Sequence, residues 1–132
     1  MKKILSLLVA ALFATTVYAG EYPDISIKDL QTAIKAGKVA VIDVNGAGSY
    51  KKGHIPTAIH FSSKSKGLAK LLPKDKKTLV VAYCGGPGCS AYKRGASAAE
   101  KLGYTNVKHL SAGISGWKKA GADVAKVEKK KK

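Results

Sequence analysis

The chain has 132 residues, with 24 Lys and Arg against 8 Asp and Glu and a formal net charge of +16. That length accommodates one ordinary domain with a single core, and no internal repeat or second block of composition divides it. Two cysteines in one loop cannot staple a whole fold, and the lysines form no stripe interleaved with aromatics of the kind that grips nucleic acid.

In chain order, Lys2 and Lys3 precede an uncharged, largely apolar run from Ile4 to Ala14, and Val17-Tyr18-Ala19 offers small residues where a signal peptidase reads. The run is shorter than the ~20 residues of a membrane span, so stable membrane insertion is not expected. Residues 1–19 therefore read as a cleaved signal peptide, 20–125 as the domain and 126–132 as a basic tail. The expected location is the periplasm, or the exterior of a cell with one membrane.

Ser26 is placed as the N-cap of a helix with Asp29 in its first turn, Ile27, Leu30 and Ile34 on one face, and Gly37 to end it. Val39 to Val44 is a continuous apolar strand holding one acid, Asp43, a pattern suited to a parallel sheet covered on both faces. Asn45 to Ser49 reads as a flexible turn, with a helical turn at Tyr50-Lys51-Lys52. Gly53 to Phe61 reads as a rigid bend at Pro56 leading into a short strand. Ser65 to Leu72 is expected to form a short amphipathic helix stopped by Pro73, and Thr78 to Tyr83 a buried strand. A helix from Ser90 to Leu102 follows, its small residues Ala91, Gly95, Ala98 and Ala99 implying close packing on a sheet. Asn106 to Leu110 is a last strand and Gly113 to Lys119 a last helix. Strands and helices alternate, which predicts an α/β domain with a mostly parallel central sheet flanked by helices.

Cys84 stands at the end of the strand Thr78–Tyr83, and Gly85, Gly86, Pro87 and Gly88 lead from it to Cys89, at the mouth of the alanine-rich helix. Ligands of parallel sheets bind at the carboxyl ends of strands. A glycine-rich loop running into a helix start offers N–H groups and the positive end of the helix dipole to one point, the surrounding that lowers a thiol pKa. The alternative reading of the pair is a structural disulfide. His54, His60 and His109 are scattered, and their spacing does not suggest a metal site.

Four segments together resemble a single-domain rhodanese-like protein. Val41-Ile42-Asp43-Val44 resembles the family's strand ending in Asp-Val/Leu-Arg, and Gly53-His54-Ile55-Pro56-Thr57-Ala58 its Gly-His-Ile-Pro-Gly-Ala bend. Tyr83-Cys84 through Ser90 resembles the active-site loop, and Gly103-Tyr104, Val107 and Gly113-Ile114-Ser115-Gly116-Trp117 the closing segment. The resemblance implies a sulfurtransferase or sulfane-sulfur carrier in which Cys84 bears a persulfide, stabilised by loop N–H groups without a cofactor. Gly85, Gly86, Gly88 and Ser90 would surround the sulfur, and Arg94, one turn into the helix, would help hold an anion. The implied donor is a small anion such as thiosulfate or polysulfide, and the acceptor a thiol or another protein. The fold's phosphatase relatives carry an arginine where this chain has Ser90, which argues against phosphate chemistry.

Three positions depart from the family pattern. Asn45 replaces an arginine, Thr57 replaces the glycine of the bend with no consequence expected, and Cys89 stands where many members carry arginine or threonine. The extra thiol makes Cys89 a resolving residue able to attack a persulfide on Cys84, release sulfide and leave a disulfide. Two other readings stay open: a thiol–disulfide redox protein cycling Cys84 and Cys89, and a non-catalytic binding module with a static bridge.

Overall fold

The computed structural model describes residues 22–128, so the expected signal peptide and the last four lysines lie outside the described residues. The elements run α1 (Ile27–Lys35), β1 (Val39–Asp43), α2 (Ala47–Lys52), β2 (Ile59–His60), α3 (Phe61–Lys64), a 3₁₀ turn (Ser65–Gly67), α4 (Leu68–Leu71), β3 (Leu79–Tyr83), α5 (Tyr92–Lys101), β4 (Val107–His109) and α6 (Gly113–Lys119). No helix among the described residues is long and apolar enough to cross a membrane.

The four strands form one parallel sheet in the order β2-β1-β3-β4. Its two central strands are apolar along nearly their whole length because both faces are covered, with Asp43 the single acid, at the end of β1. Ala40, Ile42, Val80 and Ala82 point into one core with Leu68, Leu72, Ala96 and Ala99, while Val41, Val81 and Tyr83 point into another with Leu30, Ile55, Ile114 and Trp117. α5 lies close on the first face: a Cβ added at Gly95 would stand 2.8 Å from Ile42 Cγ2 and 2.9 Å from Val44 Cγ2. Beyond β4, the segment Tyr22–Ile25 runs alongside His109, which donates to Pro23 O and accepts from Ile25 N, both at 2.9 Å. At the other end of the chain, His54 and Ala125 exchange two backbone hydrogen bonds, also of 2.9 Å.

The Ser26 side chain accepts from Asp29 N, as its placement predicts, and Gly37 follows the helix with φ +66°. Three readings change. Residues 45–49 are not all turn, since α2 already begins at Ala47. The expected helix Ser65–Leu72 is instead a chain of short pieces starting at Phe61; Lys64 and Gly67 leave helical geometry, and of its leucines Leu68 and Leu72 reach the core while Leu71 is exposed. Such a segment lacks the continuous apolar stripe that would sustain one helix. Thr57, expected to be indifferent, has φ +73° and is the only non-glycine residue described with positive φ. The bend needs a left-handed residue there, and a β-branched side chain makes that costly.

Candidate functional site

β3 delivers Cys84 to the carboxyl end of the sheet, where the residue is 3% exposed. The backbone there is held by α6: Ile114 N–H donates to Cys84 O at 3.0 Å and Ser115 N–H to Gly85 O at 2.9 Å. The two chains touch backbone to backbone. Gly113 has φ +60°, and a Cβ on it would fall 2.5 Å from Gly86 N and 2.7 Å from Cys84 O. On the loop side, a Cβ on Gly86 would meet Ser115 Oγ at 2.5 Å. The first turn of α6 is thus the fastening of the loop.

Further along, Cys89 N–H donates to Gly86 O at 3.1 Å, with Pro87 second in the turn and Gly88 third at φ +83°. These are the features of a type II turn, in which proline presets the second position and glycine supplies the third. The turn folds Cys89 back onto Cys84. Their Cα atoms are 6.3 Å apart and the two sulfurs are bonded as a disulfide. Cys89 remains partly exposed. Among the described residues the amides of Gly85, Gly86 and Gly88 donate to no backbone carbonyl.

A buried polar set supports the loop from below. Asp43, fully buried, accepts from Tyr83 Oη at 2.5 Å and from Asn45 N at 2.7 Å, and Tyr83 Oη accepts from Ile55 N at 3.0 Å. Burial first, and then the Asp43 carboxylate, push the Tyr83 phenol far above its ordinary pKa, so it remains a proton donor. The single acid of β1 therefore joins β1, β3 and the bend. Asn45 stands beside the loop: its Oδ1 lies 3.9 Å from a Cβ position on Gly85, and its Nδ2 is buried without a partner among the described residues. Its carbonyl accepts from His60 Nε2 at 2.9 Å.

The structure brings together Cys84, Gly85, Gly86, Gly88 and Cys89. Ser90 follows them on the exposed side, just before α5 (which starts two residues later than expected), and Arg94 is exposed on that helix without an ion pair among the described residues. His54 stacks on Tyr50 with ring centroids 3.7 Å apart and bonds Tyr50 O through Nδ1, a packing role. Sequence reasoning gave no role of their own at the site to Tyr83, Tyr50, His60 and Ser115. Only Tyr83 left a signal, a polar-tipped aromatic at the same place in its strand as Asp43 in the neighbouring one. An open cavity of about 340 Å³ between α1 and α6, lined among others by Lys28, Thr32, Pro56 and Trp117, contains none of the loop residues.

A parallel α/β sheet with a cysteine loop at the carboxyl end of a central strand, fastened by the helix that follows the last strand, defines a class of small cysteine-site domains. The Rhodanese-like domain family matches residues 26–120. The chain belongs to that family. Among solved structures it is similar to the BH2092 protein of Bacillus halodurans, with 31% identity over 80% of this chain and 77% of that one and a TM-score of 0.61. It shares the fold of a thiosulfate sulfurtransferase from Pseudomonas aeruginosa, at 22% identity and TM-score 0.63, covering 81% of this chain and 21% of that one. It also shares the fold of the human single-domain sulfurtransferase TSTD1, at 18% identity and TM-score 0.57, covering 75% of this chain and 97% of that one. No curated protein matches the chain.

Proposed function

We propose that the protein is an exported sulfurtransferase or sulfane-sulfur carrier whose nucleophile is Cys84. The observation that supports this reading most directly is the position of Cys84, at a strand end in a loop whose carbonyls are tied to α6 while the amides of Gly85, Gly86 and Gly88 find no backbone partner. Those amides are donors for a thiolate or a persulfide. With the bridge reduced, the Cys84 thiolate attacks the outer sulfur of thiosulfate, a new S–S bond forms, and sulfite leaves with the electron pair of the bond that breaks. The acceptor, a thiol or a protein thiol, then attacks the outer sulfur of the persulfide and Cys84 returns as thiolate. Polysulfide serves as donor in the same way. Cys89 is the resolving thiol: when no acceptor takes the sulfur, the bridge closes, the outer sulfur departs as hydrosulfide with the electron pair of its broken S–S bond, and a dithiol reductant reopens the bridge.

The test is the mass of the reduced protein after brief exposure to thiosulfate or polysulfide. A gain of about 32 Da, retained in Cys89→Ser and lost in Cys84→Ser, is the expected result. The bridge itself favours a second reading, a thiol–disulfide redox protein. That reading takes over if wild-type protein loses two hydrogens and gains no sulfur, and Cys89→Ser gains none either.

A further inference from the structure

Disulfide exchange is an in-line displacement, so the nucleophile approaches a sulfur from the side opposite the sulfur that leaves. Attack on Cys84 would have to come from the side of its sulfur away from Cys89, which is covered, since the residue is only 3% exposed. Attack on Cys89 comes from outside, across a partly exposed residue that follows an exposed Pro-Gly turn. The departing group is then Cys84, which leaves as a thiolate in the loop whose Gly85, Gly86 and Gly88 amides donate to no backbone carbonyl. Both access and leaving-group stability select the same sulfur.

We propose that the oxidised protein is itself a substrate-ready form that takes up hydrosulfide, and that Cys89 is the point of entry. This rests on the reading of the loop as a sulfane-sulfur site. In the step, HS⁻ forms a bond to Cys89 Sγ, the Cys84–Cys89 bond breaks, and its electron pair leaves on Cys84. The sulfide sulfur is oxidised to the sulfane level and the disulfide is the oxidant, so no other redox partner is required. The products are a Cys89 persulfide and a Cys84 thiolate. The thiolate then attacks the outer sulfur of that persulfide, which moves the sulfane sulfur to Cys84 and leaves Cys89 as a thiol. Sulfide expelled from Cys84 by Cys89 would have to depart along the covered line, so in the folded loop exchange runs through Cys89 in both directions. The net positive charge of the chain favours an anionic nucleophile.

The experiment treats the oxidised full chain with sodium sulfide under argon, quenches early with an alkylating agent and reads intact mass and peptide fragments. Residues 84 and 89 are separated by fragmentation between them. The expected result is a gain of about 34 Da before alkylation, one sulfur and two hydrogens, with the extra sulfur on Cys89 at the earliest quench and on Cys84 later. The rate should exceed that of oxidised glutathione under the same conditions by at least about tenfold, from the better leaving group and the charge. No gain, a rate equal to that of oxidised glutathione, or sulfur on Cys84 at the earliest quench would overturn the proposal. Cys84→Ser and Cys89→Ser, which have no bridge, should take up nothing from sulfide. Because reduced Cys89→Ser still reports on thiosulfate and polysulfide, failure here and failure of the sulfurtransferase reading give different patterns.

Discussion

Thr57 pays for the shape of the bend. An L-residue in the left-handed region costs roughly 1–2 kcal/mol, and a β-branched one has the fewest ways to relax. Glycine removes that strain but loses roughly 0.5–1 kcal/mol more chain entropy on folding. Thr57→Gly should therefore stabilise the protein by about 0.5–1 kcal/mol, a rise of a few degrees in Tm by calorimetry, with sulfur uptake by Cys84 unchanged. The substitution was visible in the sequence as a departure from Gly-His-Ile-Pro-Gly-Ala, but its cost depends on φ +73°, which only the folded bend reveals. Cys84, Cys89 and the glycines between them were legible for the opposite reason: they are contiguous, and their chemistry needs only the local chain. Asp43, Tyr83 and Ile55 meet across three segments, so their hydrogen bonds follow from strand register and could not be read along the chain.

At the level of elements, the strands were the most legible, because a parallel sheet covered on both faces writes itself as unbroken apolar runs. α6 was found with its limits, while the helix expected from Ser65 to Leu72 is instead part of a run of three short pieces that starts at Phe61. The difference lies in what each packs against. α6 buries Ile114 and Trp117 and clamps a loop, whereas the other stretch buries only Leu68 within its helical pieces. A further junction ties the first described residues to α5: Tyr22 Oη donates to Glu100 Oε2 at 2.6 Å. Burial, then the hydrogen bond and charge of Glu100, push the Tyr22 pKa up to about 12. A phenol with a raised folded-state pKa contributes stability that is complete below its unfolded value and is lost as pH rises through the folded one. Unfolding free energy measured in denaturant should thus carry a downward slope between about pH 10 and pH 12 that Tyr22→Phe makes shallower. An unchanged slope would detach Tyr22 from this junction.

For the molecule as a whole, the excess of 24 basic over 8 acidic residues is a long-range property, and it acts on rates. Raising ionic strength from about 10 mM to 150 mM shortens the Debye length from about 30 Å to 8 Å. With thiosulfate as donor, kcat/KM should fall several-fold over that range while kcat changes little, and a flat profile would mean that the charge does not steer the donor. The α/β class and parallel sheet were both legible from the alternation of elements. The strand order was not, because nothing along the chain says which neighbour each strand chooses. The pairing of Tyr22–Ile25 beside β4 is the part of that order with the widest consequence. Those few residues are a cover strip on the outer edge of β4, where they pair with His109. Trimming them away would bare β4 as a template for a second copy of the chain, so the start of the domain guards its solubility as well as its shape.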